Sequence, residues 1–576
     1  MWYKLLMIVL MLLTRPVGMK AQTDFPKDYF RAPVDFRMLL SGTFGELRSN
    51  HFHSGIDIKT GGVTGKPLLA VADGYVSRIS VSSGGFGKAI YINHPNGYTS
   101  VYGHCDYFAD SLAQWVRAKQ YQEESFAVNL FPEPGQFAVK KGEVIAFSGN
   151  SGSSGGPHLH FELRTTTDEI PMNPLLFGFD IRDFTRPTMQ RMKIYPVGNN
   201  SFVKGRNKIT EFALAGWGPD YRLQDGDTIS LAGTFYFGID TYDRLNDSDN
   251  KNGVFAVRLV VDSTEQYSHR MQQFSFDESR YINAMIDYED FSKRKVRYQK
   301  TYIAPGNKLS VYETITNKGL MNFNDGLLHR VQYVVEDAYG NTSVITFYVQ
   351  AAGPYFRSAM QSTVNPKTGK VFDWDTDNEF LSDDFRLELP RGTLYDTLSF
   401  SFSQLPGDKS FYTPIFKVHH SGVPIHDYGK IFLKPQRLPS GSESKALVVQ
   451  VPPKGDLIPV GGKWEEDWLV ASIRSFGSYS VVIDSVAPTI AAINIANGKN
   501  VSDQKNITFR IDDALSGIAG YRGTINDKWI LMDYDAKNKL LVYTIDERMP
   551  KGSSLLKLEV TDERGNKKTY QAKLVR

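Results

Sequence analysis

At 576 residues the chain is too long for one ordinary hydrophobic core, and three to five domains of ~100–200 residues each are expected. Apolar content of 41% and aromatic content of 13% suit packed globular domains. A net charge of +3, with no Lys/Arg run to follow a phosphate backbone, argues against dedicated nucleic-acid binding but leaves a polyanionic cell wall open as a partner.

Taken in order, the chain opens on an export signal, assigned to residues 1–21. Lys4 supplies the positive charge and Leu5 to Leu13 the apolar stretch. That stretch is too short to span a bilayer, which takes ~20 residues. Cleavage near Ala21 is expected, although Met19 and Lys20 depart from the small-residue pattern. No later stretch is long and apolar enough for a membrane helix, so no stable membrane span is expected after signal cleavage. No long pro-segment precedes Phe36, which argues against an N-terminal inhibitory domain. Cys105 is the sole cysteine, so no internal disulfide can form. An exported protein without disulfides suits a bacterial periplasm or cell envelope, or secretion from a bacterium.

Residues 22–187 carry most of the chemistry; six of the eleven histidines lie before residue 161. Short strands are predicted at 67–72, 74–79, 88–92, 98–102 and 144–148. Asp73-Gly74 and Asn96-Gly97 read as hairpin turns. One helix interrupts them, with Asp110 as its cap, running to about Glu124, and Leu112, Trp115 and Val116 on its apolar face. It reads as a packed insertion. A Gly-rich loop, Gly149–Pro157, then leads into His158-Leu159-His160.

From about residue 188 the texture is that of β-sandwiches, with strands alternating with Asn/Asp/Gly turns. Phe237-Gly-Ile-Asp240 and Phe509-Arg-Ile-Asp512 begin two related units. Asp337-Ala-Tyr-Gly-Asn341 and Asp562-Glu-Arg-Gly-Asn566 close them. The segments 188–352 and 486–576 are therefore read as two Ig-like sandwiches, and 353–485 as a divergent third. The fold class is mainly β: a small β-rich domain with a short helical insertion, then about three sandwiches.

A strand places residues i and i+2 on one face, so His158 and His160 point together while Leu159 enters the core. His53 and Asp57 lie four apart, with Gly55 between them to allow a tight turn. Two imidazoles and a carboxylate with an open fourth position suit catalytic zinc. With His53, Asp57 and His160 on the metal, His158 remains for acid–base work, and His104 is a second candidate. Zinc would acidify a water and polarise a scissile carbonyl. Glu162 continues the i+2 series and either orients a ligand histidine or is a solvated or salt-bridged strand residue. The other histidines, including His51 and His94, read as structural or flanking. Cys105 neighbours His104 and so faces the opposite side of a strand.

The blocks Phe44-Gly45, His53-Ser-Gly-Ile-Asp57, Pro67-Leu-Leu-Ala-Val-Ala-Asp-Gly74, Tyr102-Gly-His104, Val139-Lys-Lys-Gly-Glu143 and Gly156-Pro-His-Leu-His-Phe-Glu162 resemble, in this order, the lysostaphin/LytM-type zinc endopeptidases. The resemblance covers roughly residues 36–177. It implies one zinc held by His53, Asp57 and His160, with His104 and His158 in catalysis. It also implies cleavage of peptide cross-links in peptidoglycan, with peptidoglycan peptide stems as the partner. The sandwiches would offer a surface to an envelope protein. Two alternatives stand beside this reading: a non-catalytic or latent envelope protein that binds peptidoglycan or activates another hydrolase, and an endopeptidase acting on Gly-rich proteins.

Overall fold

The computed structural model describes residues 25–353 and 369–576, so the export signal read from residues 1–21 lies outside the described residues. Within them no helix is long and apolar enough to cross a membrane. The architecture is mainly β, with a single-sheet domain carrying one long helix first and further β-rich domains after it.

The first domain is built on strands β1 (Leu40–Gly42), β2 (Ile56–Lys59), β3 (Pro67–Leu69), β4 (Gly74–Val81), β5 (Lys88–Asn93) and β6 (Tyr98–Phe108). Helix α1 (Asp110–Glu123) follows, then β7 (Val128–Leu130), β8 (Ala138–Val139), β9 (Val144–Ser148), β10 (His158–Thr165) and β11 (Pro171–Met172). The sheet runs β1-β2-β10-β6-β5-β4-β7, with β3 joined through β9. Apolar residues at alternate positions, Ile56 and Ile58 on β2 and Leu159, Phe161 and Leu163 on β10, enter one buried cluster. The opposite face of the same two strands is left for polar side chains.

Two local expectations are corrected. Asn96-Gly97 does close the β5–β6 hairpin, but Asp73-Gly74 is no hairpin turn. β3 pairs with β9 and β4 pairs with β5, because Leu68 and Leu69 find their apolar partners 75 or more residues away. Asp73 instead accepts bonds from Lys140 Nζ and the Lys141 amide. Helix α1 begins after Ala109, and its cap carries no side-chain bond; Asp110 is the first helical residue, where its charge favours the positive end of the helix.

Residues 188–351 form eleven strands in one hydrogen-bonded sheet rather than two separate ones. Asp220–Leu223 and Thr228–Tyr242 both pair in parallel with Thr342–Ala351 and close the path. Residues 371–483 form two five-stranded sheets around one core, with a two-stranded pair beside them. Residues 489–575 form two four-stranded sheets around another core. Gly340 and Gly565, in the two repeated closing turns, both have positive φ, 86° and 73°.

The domains are packed together. Phe44 and Phe52 share a core with Phe255, Met271 and Phe274, and with Tyr395 from the third domain. Helix α1 receives the last domain: Tyr121 lies 5.3 Å from the Trp529 ring and donates to Asp546, which also pairs with Arg117. Lys537 of that domain donates to the carbonyls of Asn150 and Ser154 on the Gly-rich loop.

His269 is fully buried in the 188–351 domain, and burial pushes it down to about 3. The unfolded chain therefore takes up this proton from about pH 6.5 downward, whereas the folded chain does so only near 3. Stability is intact above pH 6.5 and falls by up to about 1.4 kcal/mol per pH unit as pH drops through that window. Denaturant unfolding between pH 7 and 4 is expected to show a shallower decline in His269→Phe than in the native chain.

Candidate metal centre and active-site cleft

Asp57 and His160 sit directly opposite one another in the β2–β10 register. On its other side His160 faces Gly103 of β6. A Cβ on Gly103 would lie 3.4 Å from the His160 Cβ and 3.5 Å from that of Phe86, whose ring stacks on His160. His53 arrives from the loop before β2. Gly55 marks a bend ahead of β2, as expected, without positive φ. A Cβ there would meet the Phe161 carbonyl at 2.3 Å, and close approach of the loop to β10 is what requires glycine.

Three atoms converge. Asp57 Oδ1 lies 3.0 Å from His53 Nε2 and 3.0 Å from His160 Nδ1, and the two nitrogens are 3.0 Å apart. His158 Nε2 is 3.4 Å from the same carboxylate oxygen. His104 completes the group, its ring 4.8 Å from that of His158. All five residues singled out from the sequence are thus in one place.

Each histidine is held by one ring nitrogen and offers the other. His53 Nδ1 donates to the Thr43 carbonyl (2.8 Å), His104 Nδ1 to Ser151 (2.9 Å) and His158 Nδ1 to Gly156 (2.8 Å). His160 Nε2 donates to Glu162 Oε1 (2.8 Å), leaving Nδ1 towards Asp57. Such acceptors set the tautomer and the ring angle. Glu162 is completely buried and also bonds Ser54 and Arg164, so it is a positioning residue and not a solvated one. Arg48 plays the corresponding part for Asp57, contacting Oδ2 at 2.5 Å.

Burial lowers His53 to about 4, against the attraction of Asp57. Burial, with the charges of His160 and His158, lowers His104 to about 3. Both imidazoles are neutral at physiological pH. Burial works against ionised Asp57, yet its closeness to nitrogens of His53, His158 and His160 holds it well below the usual range. Burial likewise opposes a charge on His160, but its bonds to Asp57 and Glu162 outweigh that and raise it to about 9.

His53, Asp57 and His160 can hold a metal ion. Tetrahedral legs of ~2.1 Å place ligand atoms ~3.4 Å apart, near the 3.0 Å observed. Two nitrogens and one oxygen favour zinc over calcium or magnesium.

His104 has φ 60° in the middle of β6. Strict alternation would place it beside Tyr102, on the core side. The left-handed residue and the adjoining bulge instead send Tyr102 and Cys105 both into the core and turn His104 into the site. Cys105 does face away, as expected, and burial pushes its thiol up to about 12. His51 is exposed at the rim. His94 is buried, bonded to the Asp73 carbonyl and to Ser100.

The site opens into a cleft of about 1040 Å³. One wall is Phe86 and the histidines; the other is Arg280 of the second domain with His426 and Arg474 of the third. Nothing in the sequence signalled that wall, nor the supporting roles of Thr43, Arg48 and Ser151, which are backbone acceptors or lone charges without motif spacing.

Residues 51–121 and 128–174 match Peptidase family M23, and 369–484 match a Zu5-like domain. An uncharacterized metalloprotease of Haemophilus influenzae is 32% identical over 155 residues, 26% of this chain and 27% of that one. The DD-carboxypeptidase/endopeptidase Mpg of Neisseria meningitidis is 31% identical over 140 residues, 24% and 26% of the two chains. The murein hydrolase activator NlpD of Escherichia coli is 30% identical over 155 residues, 27% and 32%. The catalytic domain of the prophage-encoded M23 protein EnpA from Enterococcus faecalis matches 24% of this chain and 93% of its own, at 25% identity and TM-score 0.18. The chain spans about a quarter to a third of the length of these curated relatives.

Glu162→Gln is expected to weaken zinc binding about 10- to 100-fold. Competition against a chromophoric chelator measures this, and the fold stays intact by circular dichroism.

Proposed function

We propose that this chain, whose first domain is a Peptidase family M23 domain, is an exported zinc endopeptidase that cleaves peptide cross-links of peptidoglycan. One observation carries the reading: four imidazoles, each tied by one nitrogen, gather in an open cleft, and three of them hold the other nitrogen within 3.4 Å of a single buried carboxylate oxygen. A non-catalytic scaffold has no need of four such tethers. The names of the relatives, a DD-endopeptidase among them, support the substrate class.

His53, Asp57 and His160 would hold the zinc, which supplies Lewis-acid polarisation of the carbonyl and acidifies water. His104 is neutral, and its Nε2 carries a free lone pair because Nδ1–H is committed to Ser151. It can therefore accept a hydrogen bond from the attacking water and orient it, although burial makes it a weak base. His158 stands beside it, its Nε2 3.4 Å from Asp57 Oδ1. Whichever ring gains the proton becomes an imidazolium, able to donate to the developing oxyanion and then to the leaving amine. Phe86 and the cross-domain wall narrow the cleft around an extended peptide.

His160→Ala is expected to lose zinc and turnover together. His158→Ala is expected to keep one zinc per chain and to lose about 100-fold or more in kcat. Elemental analysis beside mass-resolved digestion of purified sacculi reads both. New muropeptides released by the native chain and not by His158→Ala support the assignment, and their masses name the bond. Equal zinc loss in the two variants would show the ligand set to be wrong. Cleavage of gelatin or elastin-like polypeptides, with sacculi untouched, would move the substrate to Gly-rich proteins.

A further inference from the structure

A second buried cluster lies where the first domain joins the second. Asp183 is in the linker, Asp243 follows the strand Thr228–Tyr242, and Asp337 opens the hairpin turn before Thr342–Ala351. One carboxylate oxygen from each lies within 4.8 Å of the other two. The three residues are only 6%, 4% and 2% exposed.

The same framework occurs twice in the chain, and the comparison is informative. In both copies an Asp stands four residues before a proline, Asp183 to Pro187 and Asp484 to Pro488. In both, an Asp-x-x-Gly-Asn turn faces it. Asn341 Nδ2 donates to Asp337 Oδ2 (2.7 Å) and to the Asp183 carbonyl (3.2 Å); Asn566 Nδ2 makes the same two bonds to Asp562 (2.8 Å) and Asp484 (3.0 Å). The copies differ in their third member. In the last domain peptide N–H groups fill the centre: Ser516 donates to Asp484 Oδ2, and Leu515 and Gly517 to Asp513 Oδ2. At the junction the donors leave two oxygens unfilled. Asp183 Oδ1 takes the Thr185 amide, Asp337 Oδ1 takes the amides of Tyr339 and Asn341, and the Arg244 amide serves Asp243, but Asp183 Oδ2 and Asp243 Oδ1 are buried without any hydrogen-bond partner. A small cavity adjoins them, lined by Thr43, Phe44, Asn173 and Tyr339 as well as the two aspartates.

Burying an unpaired carboxylate is costly, and three together repel one another. Burial and the charges of Asp183 and Asp337 push Asp243 up to about 9, and burial raises the other two as well. A positive ion of the right size removes both penalties. The donors are all oxygen, which suits a hard cation: calcium takes six to eight oxygens in flexible geometry, and carboxylates can serve it singly or in pairs.

We propose that Asp183, Asp243 and Asp337 bind a calcium ion at the junction, a site separate from the nitrogen-rich centre. The ion would tie the linker, the 337–341 turn and the loop 243–254 together. That loop leans on the first domain: Ser248 Oγ donates to the Leu40 carbonyl at 2.8 Å and Thr43 Oγ1 to that of Gly253 at 3.4 Å. Thr43 in turn holds His53. The calcium would therefore set how the second domain backs the active site.

The test uses the full chain, zinc-loaded, in calcium-free buffer, titrated with calcium chloride in a calorimeter and melted with and without it. The native chain is expected to bind calcium and melt higher with it. Asp243→Asn and Asp183→Asn are each expected to lose the isotherm while keeping one zinc per chain, and Asp513→Asn to retain it. Asp243→Asn relieves repulsion, so in calcium-free buffer it is expected to melt no lower than the native chain. Absence of calcium binding to the native chain would overturn the proposal. So would an isotherm that survives in both junction variants, or a lower calcium-free melt for Asp243→Asn, which would mean that the fold holds the carboxyl as a neutral partner.

Discussion

The register between β2 and β10 is the constraint on which the site depends. His160 lies opposite Asp57 because Leu159 and Phe161 must enter the same core as Ile56 and Ile58. A slip of one residue would turn every one of these side chains to the other face. It would put imidazoles and a carboxylate into an apolar interior and leucine and phenylalanine into the cleft. The energy of burying four large aliphatic and aromatic side chains thus fixes the relative position of ligands that are 103 residues apart in the chain. The candidate metal centre is specified from beneath, by residues that never touch it.

His53 is supported differently. It stands on a loop, and its ring is held by the Thr43 carbonyl. The phenylalanines on either side, Phe44 and Phe52, are anchored in a core contributed mostly by the second domain. The Phe52 amide donates to Ser279 Oγ, also from that domain. One ligand therefore owes its position to packing between domains, whereas the other two are set within a single sheet. Together with the wall of Arg280, His426 and Arg474, this makes the later β domains part of the cleft and not only tethers.

Much of this was legible from local spacing. The i+2 series His158, His160, Glu162 gave the polar face of β10, and the Asn-Gly turn gave the β5–β6 hairpin. Leu112, Trp115 and Val116 gave the helix. What stayed hidden depends on contacts distant in sequence. Asp73-Gly74 has a turn's chemistry, but β3 finds its partner across the domain in β9. Gly55 sits at a bend, and a second constraint on it, the Phe161 carbonyl 2.3 Å from where a Cβ would lie, is invisible in the sequence. The left-handed His104 breaks alternation within a strand, and no residue type announces that. The two closing turns were visible as a repeat, yet only the folded chain shows that one copy is filled by peptide N–H groups and the other is not.

The contact between Lys537 and the Gly-rich loop has a consequence in time. Lys537 follows Asn150 by 387 positions. At ~5–20 residues per second, a ribosome needs roughly 20–80 s to travel between them. Through that interval the Asn150 and Ser154 carbonyls on the Gly-rich loop lack the lysine that donates to them. The rim of the cleft is thus completed last, by the domain most distant from it in sequence.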